Sequence, residues 1–158
     1  MKNILKDICN YKKIFVEQRK KILPLKNLEE KCKFKENTRG FHNTLIKSSE
    51  KKISLIAEVK KASPSAGLLF KDYQPVNIAK TYQKSGATCI SILTDEKYFM
   101  GCNNDLIEVK ENIKLPCLRK DFIVDPYQVY ESKVIGADAI LLIMAALEDN
   151  LAKEIEEI

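Results

Sequence analysis

The sequence predicts an α/β fold built on a parallel sheet, either doubly wound or closed into a barrel. Three observations point there. From Ile53 onward, short β-type runs alternate with helical ones. The segments "SGATCISIL" (Ser85 to Leu93) and "IGADAILLI" (Ile135 to Ile143) echo each other, each placing Gly-Ala after a helix and before a buried strand. The connections after the first two strands are also much longer than the about two to six residues that a βα loop needs, and such loops at strand C-termini mark the ligand-binding end of parallel folds.

Taken in order, the apolar residues Ile4, Leu5, Ile8, Tyr11, Ile14 and Phe15 recur at three and four, which predicts an amphipathic helix with lysines on its other face. The charged stretch from Glu17 to Lys52 is weakly periodic, with one further helix near Leu28 to Phe34 and a turn at Asn37 to Gly40. Strands are then expected at Ile53 to Lys60, Thr88 to Leu93, Pro116 to Lys120 and Asp138 to Ile143. Each is followed by a helix: Val76 to Lys84, Asp105 to Asn112, Pro126 to Ile135, and Glu148 to the end. This predicts one domain over residues 1–158, with an N-terminal helical extension (1–52) and βα units one to four (53–158).

A chain of 158 residues with 45% hydrophobic and 31% charged content has the composition of a soluble globular domain. Its basic excess is local: 15 Lys and Arg face 6 Asp and Glu through Lys52, against 12 and 16 from Ile53 onward. Those early lysines fall at helical spacing with no aromatic interleaving or Arg cluster, so nucleic acid is not an expected partner. No signal-peptide pattern or 18-residue apolar run occurs, so no membrane is expected, and five cysteines without any C-x-x-C fit a reducing cytoplasm. The only histidine, His42, is read as structural; Cys102 lacks a histidine near it in sequence and is a poor candidate nucleophile.

In "IAEVKKASPSAG" (Ile56 to Gly67), Leu55, Ala57 and Val59 share one side of the strand, and Ile56, Glu58 and Lys60 the other. In "LPCLRKDFIVDP", Leu118 and Lys120 share a face opposite Cys117 and Arg119. Each lysine alone reads as a solvated strand end. Two lysines and a glutamate converging at the carboxyl ends of parallel strands would instead form an anion site, and the two long loops on the same rim favour that reading. Phe99 and Phe122 beside the rim serve either as loop anchors or as walls for a flat aromatic ligand.

The motifs "IAEVKKASPSAG", "LTDEKYFMG", "LRKDFIVDPYQVYES" and "GADAILLIMAAL" resemble, in order, those of the indole-3-glycerol phosphate synthase family of tryptophan biosynthesis. The resemblance runs from about Leu55 to the last residue, and the leading helix is similar to that family's N-terminal extension. It implies a (β/α)8 TIM-barrel fold, of which this chain holds about the first four βα units. It also implies a carboxy-lyase that needs no metal or organic cofactor and acts on a small phosphorylated substrate. That substrate, 1-(2-carboxyphenylamino)-1-deoxyribulose 5-phosphate, becomes indole-3-glycerol phosphate with loss of carbon dioxide and water.

At matching positions, Lys120 resembles the general acid at the substrate carbonyl, Lys60 the lysine that holds the substrate anion, and Glu58 the acid that orients it. Ser63 matches a substrate-loop position, and Phe99 and Phe122 the wall around the anthranilate ring. Cys102 stands where the family usually has serine.

A complete barrel of this type takes about 250 residues, so strands five to eight, with a further carboxylate and the phosphate-binding loops, are expected to be absent. Four parallel strands with two open edges, one of them the apolar run Ala139 to Met144, predict self-association or complementation by a partner chain. The alternative to the enzyme is a catalytically inactive half-barrel that associates in this way.

Overall fold

The computed structural model describes residues 4–50 and 53–158. It opens with three helices, α1 (Ile4–Ile22), α2 (Leu25–Cys32) and α3 (Phe41–Ser49). Helix α1 runs a further seven residues beyond the expected end at Phe15. Periodicity missed that extension because its inward face turns ionic after Val16, with Arg19 paired to Glu131 and Lys20 to Asp125. Nor do the lysines of α1 keep to its outer face, since Lys12 is among its buried residues. Helix α3 was not foreseen at all; none of its residues is fully buried, and its half-buried face mixes Phe41 and Leu45 with the polar Thr44 and Ser48, a weak stripe in the sequence. His42 in its first turn is exposed, which corrects its reading as a structural residue.

The sheet that follows has the strand order β1-β4-β5-β6, with every pair parallel. These strands are β1 (Ile56–Val59), β4 (Cys89–Leu93), β5 (Cys117–Lys120) and β6 (Ala139–Ile140). They sit where the alternation placed them but are shorter at the edges. Strand β6 spans two residues rather than the expected six, because β5 is its only described neighbour and the apolar run bends into a 3-10 turn at Met144–Ala146.

The four expected helices are α4 (Pro75–Lys84), α6 (Asn103–Asn112), α7 (Tyr127–Val134) and α8 (Asp149–Glu156). Proline at the start of α4 suits a first turn, where its missing N–H has no intrahelical partner to lose. The Gly-Ala echo is a pair of matching helix ends. Gly86 and Gly136 take φ of 90° and 91°, and the following alanines donate back to Tyr82 and Ser132 over 3.0 and 2.9 Å. Both are the left-handed closures that glycine permits without steric cost.

Side-chain alternation gives the sheet two unlike faces. Val59, Ile90, Ile92 and Cys117 point outward and pack with Ala79 of α4 and Leu106 and Val109 of α6 into the main core. Glu58, Ser91, Leu118 and Lys120 belong to the opposite face, since Glu58 registers with Ser91 and Ser91 with Leu118. A second cluster joins Val16 of α1, Leu28 of α2 and Tyr127 of α7, and fixes the leading helices to the outside of the sheet.

Both long loops have structure of their own. The first folds into an antiparallel ribbon of β2 (Ala62–Ser63) and β3 (Gly67–Leu68). The second contains the short helix α5 (Glu96–Phe99), whose N-cap Asp95 accepts a 2.8 Å hydrogen bond from the Tyr98 N–H. Gly101 closes this loop: a Cβ there would stand 2.2 Å from the Leu93 carbonyl oxygen. Both are backbone positions that cannot yield, so Gly101→Ala is expected to lower stability by about 1–3 kcal/mol. An unchanged urea midpoint would contradict this.

Candidate active site

The carboxyl ends of β1 and β5 bring together the charged side chains that the sequence singled out. Glu58 stands between two cations, with Lys60 Nζ 2.6 Å from Oε1 and Lys120 Nζ 2.9 Å from Oε2. The strands that carry Glu58 and Lys120 are not neighbours, because β4 lies between them. The carboxylate thus reaches across one strand on the inner face. All three side chains are about a third exposed, so the cluster is open to a ligand and yet fixed in position.

The charge balance is one anion to two cations, leaving a net positive site. Burial alone would push the Glu58 carboxyl upward, but hydrogen bonds and attraction from Lys60 and Lys120 hold it below its ordinary 4.5. At neutral pH it is therefore a carboxylate, bridging the Lys60 and Lys120 side chains. An anionic ligand could compete with Glu58 for either lysine, which frees a charged donor at the place where the ligand sits.

The other expected residues lie in the loops that follow the strands. Phe99 at the end of α5 and Phe122 after β5 face each other with ring centroids 6.1 Å apart and planes at 36°. Ser63 lies in the β2–β3 ribbon, where its Oγ accepts the Ala66 N–H over 3.1 Å, so its hydroxyl serves the ribbon's own turn. Cys102 is the N-cap of α6; its backbone N–H donates to Asp105, and burial pushes its thiol up, which makes it a poor nucleophile.

Below the lysine pair, sequence reasoning missed a buried ionic network. Arg119, on the outer face as expected, is 2% exposed and donates to Glu131, Asn103, Asp121, Thr94 and Ser132. Asp121 also takes Lys12 of α1 at 2.7 Å, and Lys12 reaches Asp95 at 2.9 Å. The signal was present in α1: position 12 lies one turn from both Ile8 and Val16, on the buried stripe. Ser91 was missed too; its Oγ is buried and has no hydrogen-bond partner among the described residues.

A family model described as indole-3-glycerol phosphate synthase matches residues 5–158. Curated relatives of that name are similar over 99% of this chain: 46% identical in Azospirillum brasilense and 50% in Zymomonas mobilis subsp. pomaceae. The relative from Rhodospirillum rubrum is 46% identical over the same share. The chain spans about 60% of the length of each of these relatives.

Proposed function

This chain belongs to the indole-3-glycerol phosphate synthase family, and on that premise we propose that it acts in tryptophan biosynthesis as a carboxy-lyase. It would convert 1-(2-carboxyphenylamino)-1-deoxyribulose 5-phosphate into indole-3-glycerol phosphate. The family fold is a (β/α)8 barrel, and the four parallel strands are part of one.

The observation that carries the reading is the Lys60–Glu58–Lys120 bridge at the carboxyl ends of β1 and β5. In the reaction, the ring carbon that bears the carboxylate attacks the ribulose carbonyl, whose oxygen gains negative charge. Lys120 donates a proton to that oxygen. Lys60 holds the substrate carboxylate until its carbon–carbon bond breaks and carbon dioxide leaves; the neighbouring methylene carbon then gives up a proton as the hydroxyl takes one and departs as water, which forms the double bond that completes the indole ring. Glu58 orients both lysines before the substrate arrives. Fixed cations where negative charge develops are the kind of group that stabilises a transition state more than the ground state. Phe99 and Phe122 would flank the anthranilate ring, and Ser63 would meet the substrate from the first loop.

No helix among the described residues is long and apolar enough to cross a membrane. The five free cysteines fit a cytoplasmic setting. The inactive half-barrel is the less favoured reading, since the relatives that match nearly the whole chain bear the enzyme's name.

The test is the fluorescence rise of indole-3-glycerol phosphate formation from the substrate by this chain. Turnover supports the reading, and its absence at high protein concentration overturns it for the chain alone. Strands β1 and β6 each have one described neighbour, so their open edges are proposed to pair with further strands, in a second copy or a complementing chain. Sedimentation velocity should then show association; a single 18.1 kDa species at all concentrations would exclude self-pairing.

A further inference from the structure

Lys12 lies on α1, far in sequence from the proposed reacting groups, yet it is as buried as the core around it. Its ammonium holds two carboxylates from different loops, Asp95 after β4 and Asp121 after β5. Burial would lower its pKa, but attraction and hydrogen bonds from Asp121 and Asp95 more than offset this and raise it, so it stays charged.

Asp121 is the other half of the device. One carboxylate oxygen takes Lys12 and the Phe122 N–H at 2.8 Å; the other takes Thr94 at 2.8 Å and Arg119 at 3.3 Å. Arg119 passes the chain on to Glu131, which Arg19 of α1 holds from its far side. Cation and anion thus alternate from Arg19 through Glu131, Arg119, Asp121 and Lys12 to Asp95. Lys120 stands between two members of this chain, Arg119 and Asp121, and Phe122 directly follows. Side chains alternate, so anchoring residues 119 and 121 on the outer side aims residue 120 inward.

We propose that Lys12, acting through Asp121, is a positioning residue for Lys120: the leading helix sets the aim of the amine on the opposite face of β5. The role assigned to Lys120 rests on the functional reading above, but the coupling itself does not need turnover. Without Lys12, Asp95 and Asp121 would face each other with one cation fewer, the two loops would part, and Lys120 would lose its fixed approach to Glu58.

The test is competitive trace acetylation of the whole chain, with the labelling rate of each lysine measured by peptide mass spectrometry against exposed Lys153 in α8. In Lys12→Met, Lys120 is expected to label about fivefold faster, the equilibrium worth of a partly exposed ion pair. Lys60, which keeps Glu58, should not speed up, and Lys12→Arg should return most of the difference. A general loosening would accelerate Lys60 and Lys120 together, and that outcome, or an unchanged Lys120 in the folded variant, overturns the proposal. Should Lys12→Met fail to fold by near-ultraviolet circular dichroism, Asp95→Asn leaves Lys12 its partner Asp121 and is expected to give a smaller rise confined to Lys120; none would overturn it equally. No turnover by the wild-type chain, together with faster Lys120 labelling in Lys12→Met, would sink the enzymatic reading and leave this coupling standing.

Discussion

Replacing Lys120 by Ala is expected to lower turnover of the carboxyphenylamino-deoxyribulose phosphate by about 10²–10⁴-fold, the usual worth of a positioned proton donor. The reason is geometric. Lys120 and Glu58 meet at 2.9 Å across the intervening strand β4, and among the described residues no other lysine pairs with Glu58 apart from Lys60. In the proposed role the loss should fall on kcat, because Lys120 would give its proton as the carbonyl oxygen becomes an alkoxide and not while the substrate merely sits. Lys60→Ala should instead act mainly on KM, since the role proposed for that lysine is to hold a carboxylate already charged in the ground state. Steady-state kinetics of the two variants separates the roles; equal kcat losses with unchanged KM would contradict the assignment. Lys120 is also partly exposed, so its removal should leave the urea midpoint close to wild type, which distinguishes a chemical loss from unfolding.

Arg119→Met is expected to have the largest effect on stability. The guanidinium is 2% exposed and faces two carboxylates, Asp121 and Glu131, that are themselves buried. Removing one member of such a group leaves charge in a dry interior without its counter-ion, which costs about 3–5 kcal/mol. A midpoint shift in urea reports this directly, and a loss below that of an ordinary surface change would show that water or rearrangement fills the gap. The same network sets an acid limit. Burial would raise the Asp121 carboxyl, but Arg119 and Lys12 pull it below its ordinary 3.8. Its contribution is therefore complete above that value and is lost as pH falls through the lower folded-state value.

Much of this molecule was legible in its order of residues. Alternating short apolar runs and helical stripes placed the four parallel strands and their following helices, and the Gly-Ala echo foretold two helix ends that close in the same left-handed way. Strand alternation alone put Glu58 and Lys60 on one face, and Lys120 opposite Arg119, because side-chain direction in an extended chain has a period of two whatever the surroundings. Helix α3 was not legible, since a face that is only half-buried and half polar, Phe41 and Leu45 beside Thr44 and Ser48, writes a weak stripe. Only the tertiary structure decided that Glu58 bridges lysines from β1 and β5, because strand order sets which residues meet across a sheet. Only the fold, too, joined Lys12 to Asp95 and Asp121: three charges more than a hundred residues apart at the extremes become one buried group because packing α1 on the strand ends excludes water, and charges without water must find each other.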